Sequence, residues 1–292
     1  MTVQQAFEGF LVEQQIRGNS PKTLTYYQSG MNRFNRFLER NPDLSELNLT
    51  LLREYALHLQ SEDLSTVTRQ SYVRALRAFL TWCYAEDMLP VNLSEKFRLP
   101  KAQRKVIDIL TDEESRRLMA SFNLRYLLQL RNYCICALMI DSGLRMDEVA
   151  TLNLAFLHLA EGYTIVNGKG NKQRVVPLGL NTRKALLRYV NRRPGCAPTN
   201  RVFLTADLRP ISDSTIKQMF RRLKKRVDIP RIRAHLLRHT FATRYLENGG
   251  DIYALQQILG HTSLEMVKRY VHSTHRKTVS KFSDYSPLDR LL

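Results

Sequence analysis

Four side chains in one stretch of this sequence, His235, Arg238, His261 and Tyr270, could do chemistry together. A phenol becomes a nucleophile once its proton is removed, an imidazole can take that proton, and a guanidinium offers forked donors to an anion. The run HLLRHTFATRYLENGGDIYALQQILGHTSLEMVKRY, residues 235–270, reads as three short helices parted by glycines. Leu236, Phe241, Tyr245 and Leu246 mark an apolar face of the first, and Gly249-Gly250 supplies the positive φ that ends it. The second, from about Ile252 to Leu259, stops at Gly260, which puts His261 in a tight turn. Ser263 is the candidate N-cap of the third, which carries Tyr270. Taken alone, His235 and His261 also fit as satisfied core histidines.

Further candidates lie upstream, on elements that must bring them to this stretch. Thr111 opens a helix whose T-D-E-E start sets carboxylates at the positive end of the helix dipole, with Leu110, Leu118 and Met119 as its apolar side. The next helix, Arg131 to about Ile140, is apolar nearly all round and should be buried. Ser142-Gly143 breaks it, and L-R-M-D-E-V-A-T-L resumes with Arg145 at the head of a new helix and Glu148 three residues on. By itself such an arginine reads as a surface cap or ion-pair partner. Between Tyr163 and Leu178 the period changes to two around a glycine-rich tip, N-G-K-G-N-K-Q, which predicts a β-hairpin carrying Lys169, Lys172 and Arg174. The G-K-G tip fits a plain turn or a weak phosphate nest, and it lacks P-loop spacing. A helix near Thr182–Asn191 and a turn rich in Pro and Gly follow. A basic helix at about Asp213–Val227 then presents Lys217, Arg221, Arg222, Lys224 and Lys225 either to a polyanion or to solvent.

The chain's 292 residues suffice for two domains, each with its own core. A hydrophobic content of 43% without any long apolar run fits a globular protein and offers no membrane span. The start, MTVQQAFEGF, lacks the basic and apolar regions of a secretion signal, so a cytoplasmic, nucleoid-associated location is expected. Cys83, Cys134, Cys136 and Cys196 have no paired C-x-x-C spacing and read as reduced thiols, with no metal site. The net charge is +18, yet residues 1–100 hold 11 basic and 11 acidic side chains, so the remainder carries all of it. No basic amphipathic membrane helix stands out, which leaves nucleic acid as the favoured partner.

The first hundred residues read as four helices. The first runs from about Val3 to Arg17. Ser20-Pro21 starts the second, where Leu24, Tyr27, Met31, Phe34 and Leu38 follow a three-four spacing. Its other side shows Lys22, Arg33 and Arg36, which suit phosphate contacts or a solvated face equally. Thr50 and Ser65 are candidate caps of the last two, and Tyr72, Leu76, Phe79, Leu80 and Cys83 line the fourth before Pro90. The stretch PKAQRK then supplies Lys101, Arg104 and Lys105 as a basic linker suited to a DNA backbone.

H-x-x-R, then L-G-H, then a tyrosine nine positions after His261, preceded by G-L-R-x-x-E-V, together resemble the signature of the tyrosine recombinase (phage integrase) family. The resemblance covers nearly the whole chain and is strongest over about Gly143–His272. It implies a catalytic set of Arg145, Lys169, His235, Arg238, His261 and Tyr270, with Glu148 as the supporting acid that holds a neighbouring cation. It also implies a mainly α fold with a small β-hairpin or sheet: a helical core-binding domain over residues 1–98, a linker over 99–106 and an α+β catalytic domain over 107–292. The two domains would form a C-shaped clamp on DNA. With no extra arm-binding domain ahead of residue 1, the chain looks like the simple Xer-like type, while the ending SDYSPLDRLL looks more like integrases of mobile elements.

The chemistry the resemblance implies is metal- and ATP-independent site-specific recombination through a 3′-phosphotyrosyl link, with no cofactor. Arg145 and Arg238 would take the nonbridging oxygens, His261 would add a hydrogen bond, His235 would accept the phenolic proton and Lys169 would protonate the departing 5′ oxygen, with Lys172 and Arg174 on the DNA backbone. The partners implied are duplex DNA with paired half-sites, a DNA-assembled homotetramer, and accessory DNA-bending or directionality proteins. The tail after Tyr270, with Val279, Phe282, Tyr285 and Leu288, would dock on a neighbour or pack on its own domain. Three rivals use the same residues differently: a non-catalytic DNA-binding regulator, a type IB topoisomerase-like relaxing enzyme, and a zinc hydrolase built on His235 and His239. The last lacks the H-E-x-x-H glutamate and a clear third ligand.

Overall fold

Apolar side chains at helical spacing and polar caps at helix starts set the architecture seen in the computed structural model, which describes residues 1–98, 107–168, 173–195, 197–261 and 263–271. The chain divides into two compact units, Met1–Lys105 and Val106–Leu292.

The first unit is helical: α1 (Val3–Ile16), α2 (Pro21–Leu38), α3 (Leu49–Ser61), α4 (Thr66–Ala85) and a single turn, α5 (Leu93–Lys96). Thr2 and Gln5 form a capping box on α1, Ser20 caps α2 ahead of Pro21, and Ser65 caps α4. α3 begins at Asn48, whose side chain accepts from the Leu51 amide, and not at the expected Thr50. Phe7 and Phe10 of α1, Met31 and Phe34 of α2, Leu52 and Tyr55 of α3, and Val73, Leu76 and Phe79 of α4 meet in one core.

The second unit is built around α7 (Leu127–Asp141), which begins four residues before the expected Arg131. Its Leu130, Cys134, Ile135 and Leu138 are fully buried, in keeping with its apolar circumference. Ahead of it, α6 (Asp112–Ala120) starts with the capping box formed by Thr111 and Glu114. After it come α8 (Met146–Thr151) and a three-stranded antiparallel sheet in the order β1 (Leu157–His158), β2 (Tyr163–Asn167), β3 (Gln173–Pro177). The expected hairpin is β2–β3, with Thr164 opposite Val176 and Val166 opposite Arg174; β1 adds a third strand that alternation had not marked. Then follow α9 (Leu180–Arg192), α10 (Asp213–Val227), α11 (Ala234–Glu247), α12 (Ile252–Leu259) and α13 (Leu264–Val271). Leu186 and Tyr189 of α9, Val166 and Val176 of the sheet, and Leu236, Leu237 and Ala242 of α11 share the core with α7. The three short helices thus follow the expected order, with Gly249 at φ 93° after the first and Gly260 at φ 63° capping the second.

Candidate active site

The last carbonyls of a helix lack partners inside it and carry the negative end of its dipole. At the end of α12 three consecutive carbonyls each receive an arginine from a different element. Arg174 of β3 donates Nε to the Ile258 carbonyl at 2.7 Å, Arg238 of α11 donates Nη2 to Leu259 at 2.7 Å, and Arg145 at the head of α8 reaches Gly260 with Nη2 at 3.4 Å. Gly260 makes this convergence possible twice over. Its left-handed backbone turns the chain, and a Cβ there would stand 3.0 Å from the Arg174 side chain.

One carboxylate completes the frame. Glu148 is 2% exposed, and its Oε1 accepts from Arg145 Nη1 at 2.8 Å and Arg174 Nη1 at 2.7 Å. Its Oε2 accepts from the Arg145 backbone N–H at 2.8 Å and Arg174 Nη2 at 2.9 Å. Burial alone would raise its pKa, but the hydrogen bonds and charge of Arg174, with those of Arg145, hold it below the ordinary carboxylate value. Arg238, 5% exposed, also donates Nη1 to the Gly143 carbonyl and lies 3.2 Å from His261 Nε2. Burial, then the charge of Arg145, lower its pKa to about 10, which leaves it cationic at neutral pH. Two guanidiniums therefore share one buried carboxylate while the third, Arg238, is held by carbonyls within its field, and the cluster has surplus positive charge suited to an anion.

The nucleophile candidate lies beside it. Tyr270 on α13 is 4% exposed, and its Oη is 2.9 Å from His239 Nδ1. His239 follows Arg238 directly on α11. His235 stands one turn back, its ring centroid 6.5 Å from that of His239. Desolvation, then the charges of Arg238 and Arg233, lower the His235 pKa and favour its neutral form.

Residues 108–277 match the phage integrase family, and residues 5–99 match the phage integrase SAM-like domain. The chain belongs to the phage integrase family. The tyrosine recombinase XerD of Halalkalibacterium halodurans is 30% identical to it over 98% of this chain and 99% of that one. The tyrosine recombinase XerC of Lacticaseibacillus casei is 28% identical over 97% of each. Among solved structures, a XerA recombinase aligns with a TM-score of 0.55 at 27% identity, covering 97% of this chain and 99% of that one. The fold is also shared with a lambda integrase dimer bound to a core site, at a TM-score of 0.75 and 18% identity over 92% and 95% of the two chains. As a family member the protein is a tyrosine recombinase, an enzyme of site-specific DNA strand transfer.

In this integrase, Arg145, Arg238, His261 and Glu148 come together as described, whereas Lys169 and Lys172 lie outside the described residues, as do Lys101, Arg104, Lys105, Cys196 and the tail from residue 272. Two expectations change. Arg174, expected on a DNA backbone, is turned inward, because alternation in β3 puts it on the same face as buried Val176, where Glu148 and the α12 carbonyls take up its donors. Arg33 is likewise half-buried and paired with Glu62 from the end of the neighbouring helix. Sequence reasoning also missed His239, which it had considered only as a zinc ligand. Its place four residues after His235, beside the H-x-x-R arginine, was the available signal. Lys22 and Arg36 are exposed on α2. On α10, Lys217, Arg221, Arg222, Lys224 and Lys225 are exposed opposite a buried face of Ile216, Met219, Phe220, Leu223 and Val227. Among the described residues no three His, Cys, Asp or Glu side chains come together to hold a metal ion, and no helix is long and apolar enough to cross a membrane. Cys83 and Cys136 are buried, and desolvation pushes each thiol up to about 12.

Proposed function

We propose that the protein cuts and rejoins DNA at specific sites, with Tyr270 as the nucleophile and the arginine cluster as the receptor for the scissile phosphate. The observation that carries this reading is the cluster's charge: Arg145, Arg174 and Arg238 around one buried carboxylate, next to a phenol hydrogen-bonded to an imidazole. Arg145 and Arg238 stabilise charge on the nonbridging oxygens as the transition state forms, and His261 adds a hydrogen bond. Loss of one such donor typically costs about 2.7–4 kcal/mol, a hundredfold to a thousandfold in rate.

The Tyr270 oxygen forms a bond to phosphorus as the bond from phosphorus to the 5′ oxygen breaks. The phenolic proton passes to Nδ1 of His239, the imidazole in contact with it, with His235 next along the helix; the departing oxygen takes a proton from Lys169. Rejoining reverses these steps with a 5′ hydroxyl from the partner strand. The phosphotyrosyl link conserves the bond energy, so the scheme needs no ATP and no metal ion.

We assign residues 1–98 to DNA core binding, 99–106 to a backbone-tracking linker and 107–292 to catalysis. Exposed Lys22 and Arg36, the linker's Lys101, Arg104 and Lys105, the hairpin's Lys172 and the α10 cations supply phosphate contacts. Four protomers assemble on two paired sites, with accessory DNA-bending or directionality proteins, in a cytoplasmic, nucleoid-associated complex that serves integration and excision of a mobile element or dimer resolution. The assignment to DNA binding is supported by the shared fold of a lambda integrase dimer bound to a core site.

The test is a nicked suicide substrate carrying the DNA that flanks the gene. Wild type should yield a covalent protein–DNA adduct that maps to Tyr270 and survives chelation, while Tyr270→Phe should bind the DNA and give none. Adducts formed by Tyr270→Phe, or activity abolished by a chelator, would overturn the proposal.

A further inference from the structure

Glu148 raises a difficulty for the anion site. A buried carboxylate paired with one arginine forms a closed, neutral unit, and an arginine so neutralised is a poor phosphate receptor. Here the carboxylate is instead divided. Both its oxygens accept from the fork of Arg174, whereas Arg145 gives it one side-chain hydrogen bond and its backbone N–H. The four acceptor positions of the carboxylate are thereby filled. Arg145 is left with a long 3.4 Å contact to Gly260 as its other side-chain hydrogen bond among the described residues.

Arg174 does a second thing with the same side chain. Its Nε holds the Ile258 carbonyl at 2.7 Å, one residue before the Leu259 carbonyl that holds Arg238 and three before His261. The side chain is 12% exposed and ties β3 to the turn whose carbonyls accept from the other two arginines.

We propose that Arg174 is a positioning residue for strand transfer: by occupying Glu148 and the end of α12, it leaves the charge of Arg145 available to the phosphate and fixes the turn that carries His261. The inference rests on the strand-transfer reading above. It differs from simple structural support in a way that can be measured, because it makes Glu148 harmful when Arg174 is gone. Without the Arg174 fork the carboxylate draws Arg145 into a bidentate pair, away from the substrate. A displacement of this order, about 1 Å at a catalytic group, can cost roughly a hundredfold in rate.

The experiment compares wild type, Arg174→Gln, Arg174→Lys, Glu148→Gln and the double variant Arg174→Gln/Glu148→Gln. It uses single-turnover adduct formation on the suicide substrate, affinity for intact site DNA, and thermal melting. Arg174→Gln should slow cleavage by about a hundredfold with less than a threefold change in DNA affinity. The double variant should recover at least about tenfold over Arg174→Gln, since the uncompensated carboxylate is then absent. Arg174→Lys, which keeps the charge but not the fork, should fold normally and cleave about tenfold slower than wild type. Cleavage by Arg174→Lys at the wild-type rate, or a double variant no faster than Arg174→Gln, overturns the inference whatever the melting temperatures. The strand-transfer reading fails separately, by persistence of adducts in Tyr270→Phe.

Discussion

Replacing Gly143 by alanine isolates one requirement of the anion site. Gly143 has φ 66°, and an added Cβ would stand 2.4 Å from Cδ1 of Phe241, 2.8 Å from its Cε1 and 3.0 Å from Leu259 Cδ2. The left-handed backbone costs an alanine about 1–2 kcal/mol. Forcing a methyl against buried Phe241 costs about 1–3 kcal/mol more. The reduced freedom of the unfolded chain returns about 0.4–1 kcal/mol. The net loss is roughly 3 kcal/mol, which for a unit of this size lowers the melting temperature by about 6–12 °C. The same peptide supplies the carbonyl that holds Arg238, so cleavage should slow by about a hundredfold at temperatures where the variant remains folded. Thermal unfolding and adduct formation measure the two effects. Gly195→Ala is the control, because nothing lies within 4 Å of its Cβ position, and it should change stability by less than about 0.5 kcal/mol. A Gly143→Ala protein that melts within 2 °C of wild type, on the order of half a kilocalorie, would refute the packing argument.

Three further outcomes are expected. His239→Ala should slow adduct formation by about a hundredfold or more while His235→Ala costs less; the reverse order would return the proton acceptor to His235. Glu114, in a forked pair with Arg231, is held down to about 2 by that arginine's hydrogen bonds first. A carboxyl lowered in the folded state adds stability above its unfolded value and loses it as pH falls through the folded one. Arg231→Ala should therefore cost about 1–2 kcal/mol at neutral pH after solvent screening, with the gap to wild type closing between pH 4.5 and about 2; a gap constant with pH would exclude the pair as its source. Lys224→Ala and Lys225→Ala on α10 should each reduce the slope of log affinity against log salt by about 1, and an unchanged slope would make that face merely solvated.

Much of this was legible in the sequence where the signal is local. Ser20-Pro21, the Thr111–Glu114 box, the bounds of α10 and the glycines after α7 and α12 are dictated within a few residues of themselves, and the helices fall there. Thr50 misled because Asn48, two residues earlier, is the stronger cap. Arg33 reads as an outward cation on α2, and only the approach of Glu62 across another helix reveals otherwise. Arg174 was available in principle, since period two puts it on the face of Val176, but a basic residue beside a lysine-rich tip invited the simpler reading as a phosphate contact. The three-arginine frame itself is assembled from β3, α8 and α11, so no spacing along the chain foretells it.

Peptide carbonyls do not ionise. An anion receptor gathered by acidic side chains would loosen as those acids took up protons, whereas the end of α12 keeps its partial negative charge at every acidity the fold survives. The carboxylate of this frame, Glu148, is held below the ordinary carboxylate value by Arg174 and Arg145, and it therefore stays charged at neutral pH. The geometry of the proposed phosphate site is thereby insulated from the acidity of its surroundings.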